Sequence, residues 1–294
     1  MQKKHLVLAV LVAAVWGLNF PVTKLGLAAI DPLLLTALRF MLAALPWVFF
    51  VERPRVAFHW LAAYGLIFGV AMWALINLGI AWGVPPGIAS LLIQFSAFFT
   101  LGWGVVFFGE RLGWLQWLGT VLAAAGLVGI VLRSPGDAST AGLALVIGSA
   151  LAWSIGNVVI KVSKVREIFA FVVWASLFPP IPLMLLTWLL HGSAPFTALP
   201  LQLNAITVFS LAFQVYASTH FSYWGWNLLL REYPMSRVAP LSLLIPVFGI
   251  FSSMAIFGQY PGPTDWLLIL LVLMGILLGS AHLHAMWLRF RVRH

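Results

Sequence analysis

The sequence contains no cysteine among its 294 residues. Disulfide bonds, thiol nucleophiles and cysteine-ligated metals are therefore excluded, while the redox compartment stays open. Charge is scarce as well, because only 8% of the residues are Asp, Glu, Lys or Arg, whereas 63% are hydrophobic. A soluble globule of this length needs far more polar surface, so the composition indicates an integral membrane protein.

Acidic residues are missing from the middle of the hydrophobic runs. No buried acid is therefore available to carry a proton or to neutralise a cation in mid-membrane. His220 is the only mid-span group that titrates near neutrality, so proton coupling would have to run through it. We expect a facilitator driven by the substrate gradient. The seven acids lie in predicted loops or at span boundaries: Asp31, Glu52, Glu110, Asp137, Glu167, Glu232 and Asp265.

Ten apolar runs are long enough to cross a bilayer as helices. A hydrocarbon core of ~30 Å needs ~20 helical residues. The predicted fold is therefore an all-α polytopic membrane protein with ten transmembrane helices and no soluble domain. The runs cover residues 6–28, 33–51, 60–82, 87–108, 114–132, 141–160, 168–190, 203–228, 236–257 and 264–288.

The chain divides into two halves of five spans each, residues 1–134 and 140–294, separated by the polar segment RSPGDAST. The stretch WGLNFPVTK from Trp16 matches WSIGNVVIK from Trp153. An odd number of helices per half makes the second half enter the membrane from the opposite side, so we predict inverted five-helix repeats. Such repeats are typical of carriers and channels; duplication kept only for packing is the alternative.

Basic residues set the predicted orientation. With the N-terminus inside, thirteen lie in cytoplasmic loops and only Arg133 outside, so both termini are predicted to be cytoplasmic. The net charge of +9 then reflects topology, and no nucleic-acid partner is expected. Lys3 and Lys4 before LVLAVLVAA resemble a signal peptide cleaved after Ala14. We keep the segment as the first helix, because its continuation at residues 16–24 has a counterpart in an internal span.

Polar side chains in mid-span are predicted to face a protein interior or a water-filled cavity. On the eighth span, Tyr216, His220, Tyr223 and Asn227 recur at helical spacing and form one stripe. For any single residue, an interhelical hydrogen bond of ~0.6 kcal/mol is the alternative. Five such stripes together favour a central substrate cavity with aromatic walls. The predicted substrate-binding set is Trp16, Asn19, Trp73, Asn77, Gln94, Phe98, Trp153, Asn157, Tyr216, His220 and Tyr223.

Two cations fall inside predicted spans. Arg39 is expected to snorkel to the outer interface and to form a salt bridge with Asp31. Lys24 has two open interpretations, since it could snorkel in the same way or hold a carboxylate at the mouth of a vestibule.

Spans five and ten lack polar residues in mid-membrane and are predicted to be scaffold. They pair Ala125 with Gly129 and Gly275 with Gly279 at the small-xxx-small spacing that allows close helix approach.

An enzyme is the alternative from a different class. The sequence has no H-E-x-x-H, no G-x-S-x-G and no intramembrane aspartate pair. His282 and His284 lie two residues apart on opposite helix faces, so no metal site and no cofactor are expected. A hydrolase that uses His220 with Ser218 or Ser222 is unsupported, because neither spacing brings the side chains face to face. We therefore predict that the protein is not an enzyme.

Several motifs resemble one family. WGLNFPVTKLGL, DPLLLTALRFMLAAL and FFGERLGWLQWLG, in this order, are similar to the EamA-type half of the drug/metabolite transporter superfamily. The second half departs from the pattern, because Gln259 and Tyr260 stand in place of Glu110 and Arg111, and Trp174 falls about where a second Arg39 is expected. Within the superfamily the chain is most similar to bacterial exporters of aromatic amino acids and paraquat.

The resemblance implies a central cavity formed by spans one to four and six to nine, with spans five and ten at the periphery. It also implies efflux across the bacterial inner membrane. We therefore expect an exporter of neutral, aromatic or bulky apolar amino acids that works by alternating access, with other metabolites or organic cations such as methyl viologen as the alternative. The expected partners are this small-molecule substrate and the lipid bilayer, and a monomer is the simplest assembly.

Overall fold

The computed structural model describes residues 1–108, 113–133, 139–233, 238, 241–242, 244–258 and 260–291. Regular structure in these ranges is helical without strands, which confirms the all-α prediction. Ten spans are not confirmed: five described helices are long and apolar enough to cross a membrane, or six if the bent pair Ala194–Gln202 and Ala205–Leu229 is one span. Gly109 to Leu112, residues 134–138 and Gln259, on which some predicted motifs rest, lie outside the described residues.

Fourteen helices are named here in chain order. The third, α3, contains a π-helical segment, Leu66–Ala74, and a second π-helical segment, Phe213–Ser222, joins α11 to α12. The first half contains α1 Lys3–Leu27, α2 Pro32–Ala44, α3 Phe58–Ala81, α4 Pro86–Leu92, α5 Phe95–Phe108 and α6 Trp114–Arg133. The second half contains α7 Thr140–Ser163, α8 Ile168–Ala175, α9 Pro180–His191, α10 Ala194–Gln202, α11 Ala205–Ala212, α12 Tyr223–Glu232, α13 Leu244–Phe257 and α14 Pro263–Arg291.

Asp31 fixes the start of α2. Its Oδ1 accepts hydrogen bonds from the backbone N–H groups of Leu33, at 2.9 Å, and Leu34, at 3.0 Å. Pro32 follows at the first helical position, where a missing N–H is tolerated. The other carboxylate oxygen lies 2.8 Å from His191 Nδ1 at the end of α9. The predicted salt bridge between Asp31 and Arg39 is therefore wrong, because the carboxylate is engaged at the helix end.

The two π-helical segments fall in corresponding places of the predicted layout, the third predicted span of each half. Both lie beside α2 and carry buried side chains, among them Trp73 in the first segment and Ser218 and Thr219 in the second. A π-helix pairs residues i and i+5, so it inserts an extra residue per turn and changes which side chains face inward. Short π-helical insertions are frequent at functional sites.

Helices α6 and α14 pack closely on each other. A Cβ added to Gly275 would lie 2.4 Å from the Ala123 backbone nitrogen, and one added to Gly129 would lie 2.6 Å from a Leu268 methyl group. Small residues thus allow the predicted close approach, but Ala125 is exposed and Gly126 lies at the contact instead. The surroundings of Gly279 are outside the described part of the chain.

Candidate functional site

Arg39 lies at the centre of the molecule and is fully buried. Its Nε donates to Thr219 Oγ1 at 3.0 Å and its Nη2 donates to Ser218 Oγ at 3.1 Å, so α2 is tied to the second π-helical segment. The guanidinium carbon stands 3.7 Å from the centroid of the Trp73 ring. Nη1 is buried without a hydrogen-bond partner. The prediction that Arg39 snorkels to the interface is wrong, and a cation occupies the interior.

Aromatic side chains from both halves form a cluster next to this cation. Trp73 Nε1 donates to the Tyr223 hydroxyl at 2.9 Å, which joins α3 to α12. Trp16 lies next to Tyr223, with ring centroids 5.2 Å apart, and its Nε1 donates to the Ser218 carbonyl oxygen at 3.3 Å. The two tryptophans that begin the matching stretches, Trp16 and Trp153, contact each other edge to face at 5.8 Å. The repeat-related positions therefore meet in one aromatic cluster.

Two asparagines carry amide oxygens without partners. Asn77 Nδ2 donates to Thr36 Oγ1 at 2.8 Å, one helical turn along α2 from Arg39, and its Oδ1 is unpaired and buried. Asn19 Nδ2 makes a long contact of 3.4 Å with Thr23 Oγ1, and its Oδ1 is also unpaired. A buried acceptor without a donor is unfavourable by about 1–3 kcal/mol. These oxygens therefore provide acceptors for a donor from outside the chain.

Gln94 lies between α4 and α5, where the predicted fourth span is interrupted. It is buried, and its Nε2 donates to the Ser242 carbonyl oxygen at 2.8 Å, in the region preceding α13. Interrupted helices in corresponding spans of two repeats are a recurring feature of transporter binding sites. Phe98, one turn further on, is half-buried and contacts Phe95, with ring centroids 5.9 Å apart.

The eighth span does not present the single stripe that the sequence predicts. His220 is buried, and its Nε2–H donates to the Ala43 carbonyl oxygen at 2.8 Å, since a carbonyl can only accept. Tyr216 is 54% exposed and contacts His220, with ring centroids 5.8 Å apart. The π-helical segment causes this separation, because its longer turns rotate Tyr216 away from Tyr223. Asn157, on α7, is half-buried.

A cavity of about 360 Å³ lies near the predicted cytoplasmic ends of the spans. Its volume is in the range of small-molecule sites, which span about 300–1,000 Å³. Phe169 lines it and also contacts His220, with ring centroids 5.6 Å apart, so His220 lies directly behind the cavity lining. A smaller void of about 10 Å³ lies beside Phe40, Thr219 and Tyr223. The larger cavity is lined by Val51, Arg166, Glu167, Ile168, Phe169, Ala170, Trp224 and Leu228.

The structure thus brings together a central group of predicted residues, Trp16, Trp73, Trp153 and Tyr223, with His220 beside the inner cavity. Sequence reasoning missed Arg39. The position of Arg39 in the sequence indicated this, because eight residues beyond Asp31 correspond to ~12 Å of helix. A side chain at that depth does not easily reach back to the interface. An ionisable residue at such depth is by default a candidate functional residue.

A helical membrane bundle with a buried polar and aromatic centre defines the class of protein, a polytopic small-molecule carrier. The EamA-like transporter family matches the chain twice, at residues 3–132 and 140–281. The chain therefore belongs to the EamA-like transporter family. It is a multi-pass membrane transporter and not an enzyme.

Curated relatives extend along most of the chain. A probable amino-acid metabolite efflux pump of Escherichia coli strain K12 is 37% identical over 94% of both chains. A protein of the same description from Salmonella typhimurium strain LT2 is 38% identical over 88% of this chain and 89% of its own. A probable terminal-alkyne amino-acid exporter of Streptantibioticus cattleyicolor is 28% identical over 92% of this chain and 89% of its own.

The fold is shared with a solved crystal structure. It superposes with a TM-score of 0.66 over 98% of this chain and 99% of its own, at 17% sequence identity. At that identity the likeness concerns the fold alone.

Proposed function

We propose that the protein exports amino-acid-like metabolites across the bacterial inner membrane by alternating access, with both termini in the cytoplasm. The buried centre carries the proposal, because polar and aromatic side chains from both halves meet there around unpaired hydrogen-bonding groups. The names of relatives at 37% and 38% identity support the substrate class. The chain acts as a monomer in this proposal, since one copy supplies the whole pathway.

Access from the cytoplasm would run through the inner cavity. It is lined by Phe169, which contacts His220, while Asn77 and Gln94, on the predicted outer side, are buried. This arrangement corresponds to a carrier closed to the outside. If residues 1–134 and 140–294 are inverted repeats, exchanging their conformations would close the inner cavity and open an equivalent outer one.

Neutral aromatic or bulky apolar amino acids are the proposed substrates. The Trp16, Trp73 and Tyr223 rings would contact the side chain, and the unpaired oxygens of Asn19 and Asn77 would accept hydrogen bonds from the ammonium group. Organic cations such as methyl viologen are disfavoured, because Arg39 places a positive charge at the centre.

The test is transport by the purified full-length protein in proteoliposomes, with radiolabelled phenylalanine, leucine and methyl viologen. We expect saturable flux of both amino acids above empty liposomes. Trp73→Ala should reduce it strongly, whereas Trp117→Ala should leave it unchanged, because Trp117 is 57% exposed on the peripheral α6. Absence of amino-acid flux, equal sensitivity to the two substitutions, or a preference for methyl viologen would overturn the proposal.

A further inference from the structure

The guanidinium of Arg39 is a buried cation with one side of its fork unoccupied. The side chain has no exposed surface, and two of its three nitrogens donate to the hydroxyl groups of Ser218 and Thr219. The third nitrogen, Nη1, has no partner. A guanidinium presents its N–H groups in a planar fork that matches a carboxylate, so a carboxylate fits the free edge of Arg39.

Nothing around Arg39 in the described chain neutralises its charge. Its close neighbours are two hydroxyl groups and the rings of Trp73, at 3.7 Å, and Phe40, at 5.6 Å. Ring faces attract a cation but do not cancel its charge. Asp31, the acid on the loop before α2, pairs with His191 and caps the helix. A buried charge is ordinarily paired, so this site lacks an anion.

We propose that Arg39 binds the carboxylate of the transported molecule through Nη1, and that a carboxylate is therefore required of every substrate. This inference rests on the proposed export function and specifies which part of the substrate the centre recognises. Arg39 has no exposed surface, so the helices around it must separate before a substrate reaches the guanidinium. Binding and opening are thereby coupled.

Asn77, on the neighbouring helix α3, supplies a hydrogen-bond acceptor that complements the Nη1 donor. Asn77 bonds to Thr36 on α2, three residues before Arg39, while Trp73, four residues before Asn77, stacks on Arg39. The two contacts form successive rungs between α2 and α3, about one helical turn or ~5 Å apart. The unpaired Nη1 and the unpaired Asn77 Oδ1 thus belong to neighbouring rungs and offer a donor and an acceptor for the two charged groups of an amino acid.

The experiment compares each carboxylate with its own amide. Thermal stabilisation of the detergent-purified protein and proteoliposome transport are measured with phenylalanine, phenylalaninamide, 3-phenylpropanoate and 3-phenylpropanamide. The wild type should prefer each acid over its amide by roughly ten- to a hundredfold, the value of a charge-assisted hydrogen bond. Arg39→Gln should abolish this preference. Arg53→Gln, which removes a cation from an exposed loop, should retain it.

Folding is checked by the elution profile and the unfolding temperature of each variant. If Arg39→Gln does not fold, Arg39→Lys keeps the charge and loses the fork, and it should bind acids more weakly than the wild type. A wild type that treats acids and amides alike overturns the inference even without a folded variant. So does a preference for acids that Arg39→Gln leaves intact.

The outcomes separate this inference from the proposed function. Amino-acid transport without any acid preference leaves the export function standing and removes Arg39 as its anchor. Acid-selective stabilisation that depends on Arg39, without transport of any amino acid, retains the carboxylate site and overturns the export of these substrates. If neither stabilisation nor transport is observed, both the carboxylate site and the proposed export function are overturned.

Discussion

Two tyrosines on the eighth span provide a matched test of which side chains lie on the substrate pathway. The Tyr223 hydroxyl accepts the indole N–H of Trp73 at 2.9 Å, which orients the ring that stacks on Arg39. Tyr223→Phe removes this acceptor and leaves the buried indole N–H unpaired. The loss corresponds to about 1 kcal/mol, or about fivefold in an equilibrium constant. We expect the KM for phenylalanine to rise by about this factor, because Trp73 and Arg39 both face the proposed substrate.

Tyr216→Phe deletes the same atom from a side chain that is 54% exposed. Its transport kinetics should match those of the wild type within twofold. The assay is initial-rate phenylalanine uptake into proteoliposomes that contain equal amounts of each variant. Equal losses of uptake in the two variants would contradict this prediction, because they would place Tyr216 and Tyr223 together on the substrate pathway. No loss in Tyr223→Phe would remove the Trp73–Tyr223 bond from the mechanism.

Three further tests address helix packing, helix capping and proton coupling. Gly275→Ala should destabilise the α6–α14 pair by about 1–3 kcal/mol, because the added Cβ would lie 2.4 Å from the Ala123 nitrogen. Gly102→Ala, which has open space around it, should leave the stability unchanged. Equal unfolding temperatures of the two variants would contradict this. Asp31→Ala should lower stability by about 1 kcal/mol and Asp31→Asn much less, because Asn also caps helices. Equal losses would assign the effect to the lost charge. Phenylalanine flux should be unaffected by a pH gradient, because a facilitator follows the substrate gradient alone. A flux that depends on the pH gradient in the wild type but not in His220→Gln would contradict this mechanism.

The sequence was sufficient for the broad architecture because that depends on composition and local chemistry. A scarcity of charge predicted a membrane protein, and the Asp31-Pro32 pair is a common helix start, as α2 shows. These features need no knowledge of how distant helices pack.

The details of the site were less predictable, because they depend on backbone irregularities and distant partners. A regular turn of 3.6 residues places Tyr216 beside Tyr223, and nothing local in the sequence announces the π-helical segment between them. Arg39 was assigned to Asp31 because the two are close in the chain, whereas its partners, Ser218 and Thr219, lie about 180 residues away. Only the fold brings these groups together.

The central claim, that the pathway opens to one side at a time, is most directly tested with single cysteines, since the chain has none of its own. Ala170→Cys reports on the inner cavity, and Ser90→Cys reports on α4, where Ser90 is buried. Labelling by a membrane-impermeant maleimide is measured from each side, with and without phenylalanine. The account predicts that phenylalanine lowers labelling of Ala170→Cys from inside and raises that of Ser90→Cys from outside. Parallel changes at both positions, or transport with Ser90→Cys never accessible, would contradict it.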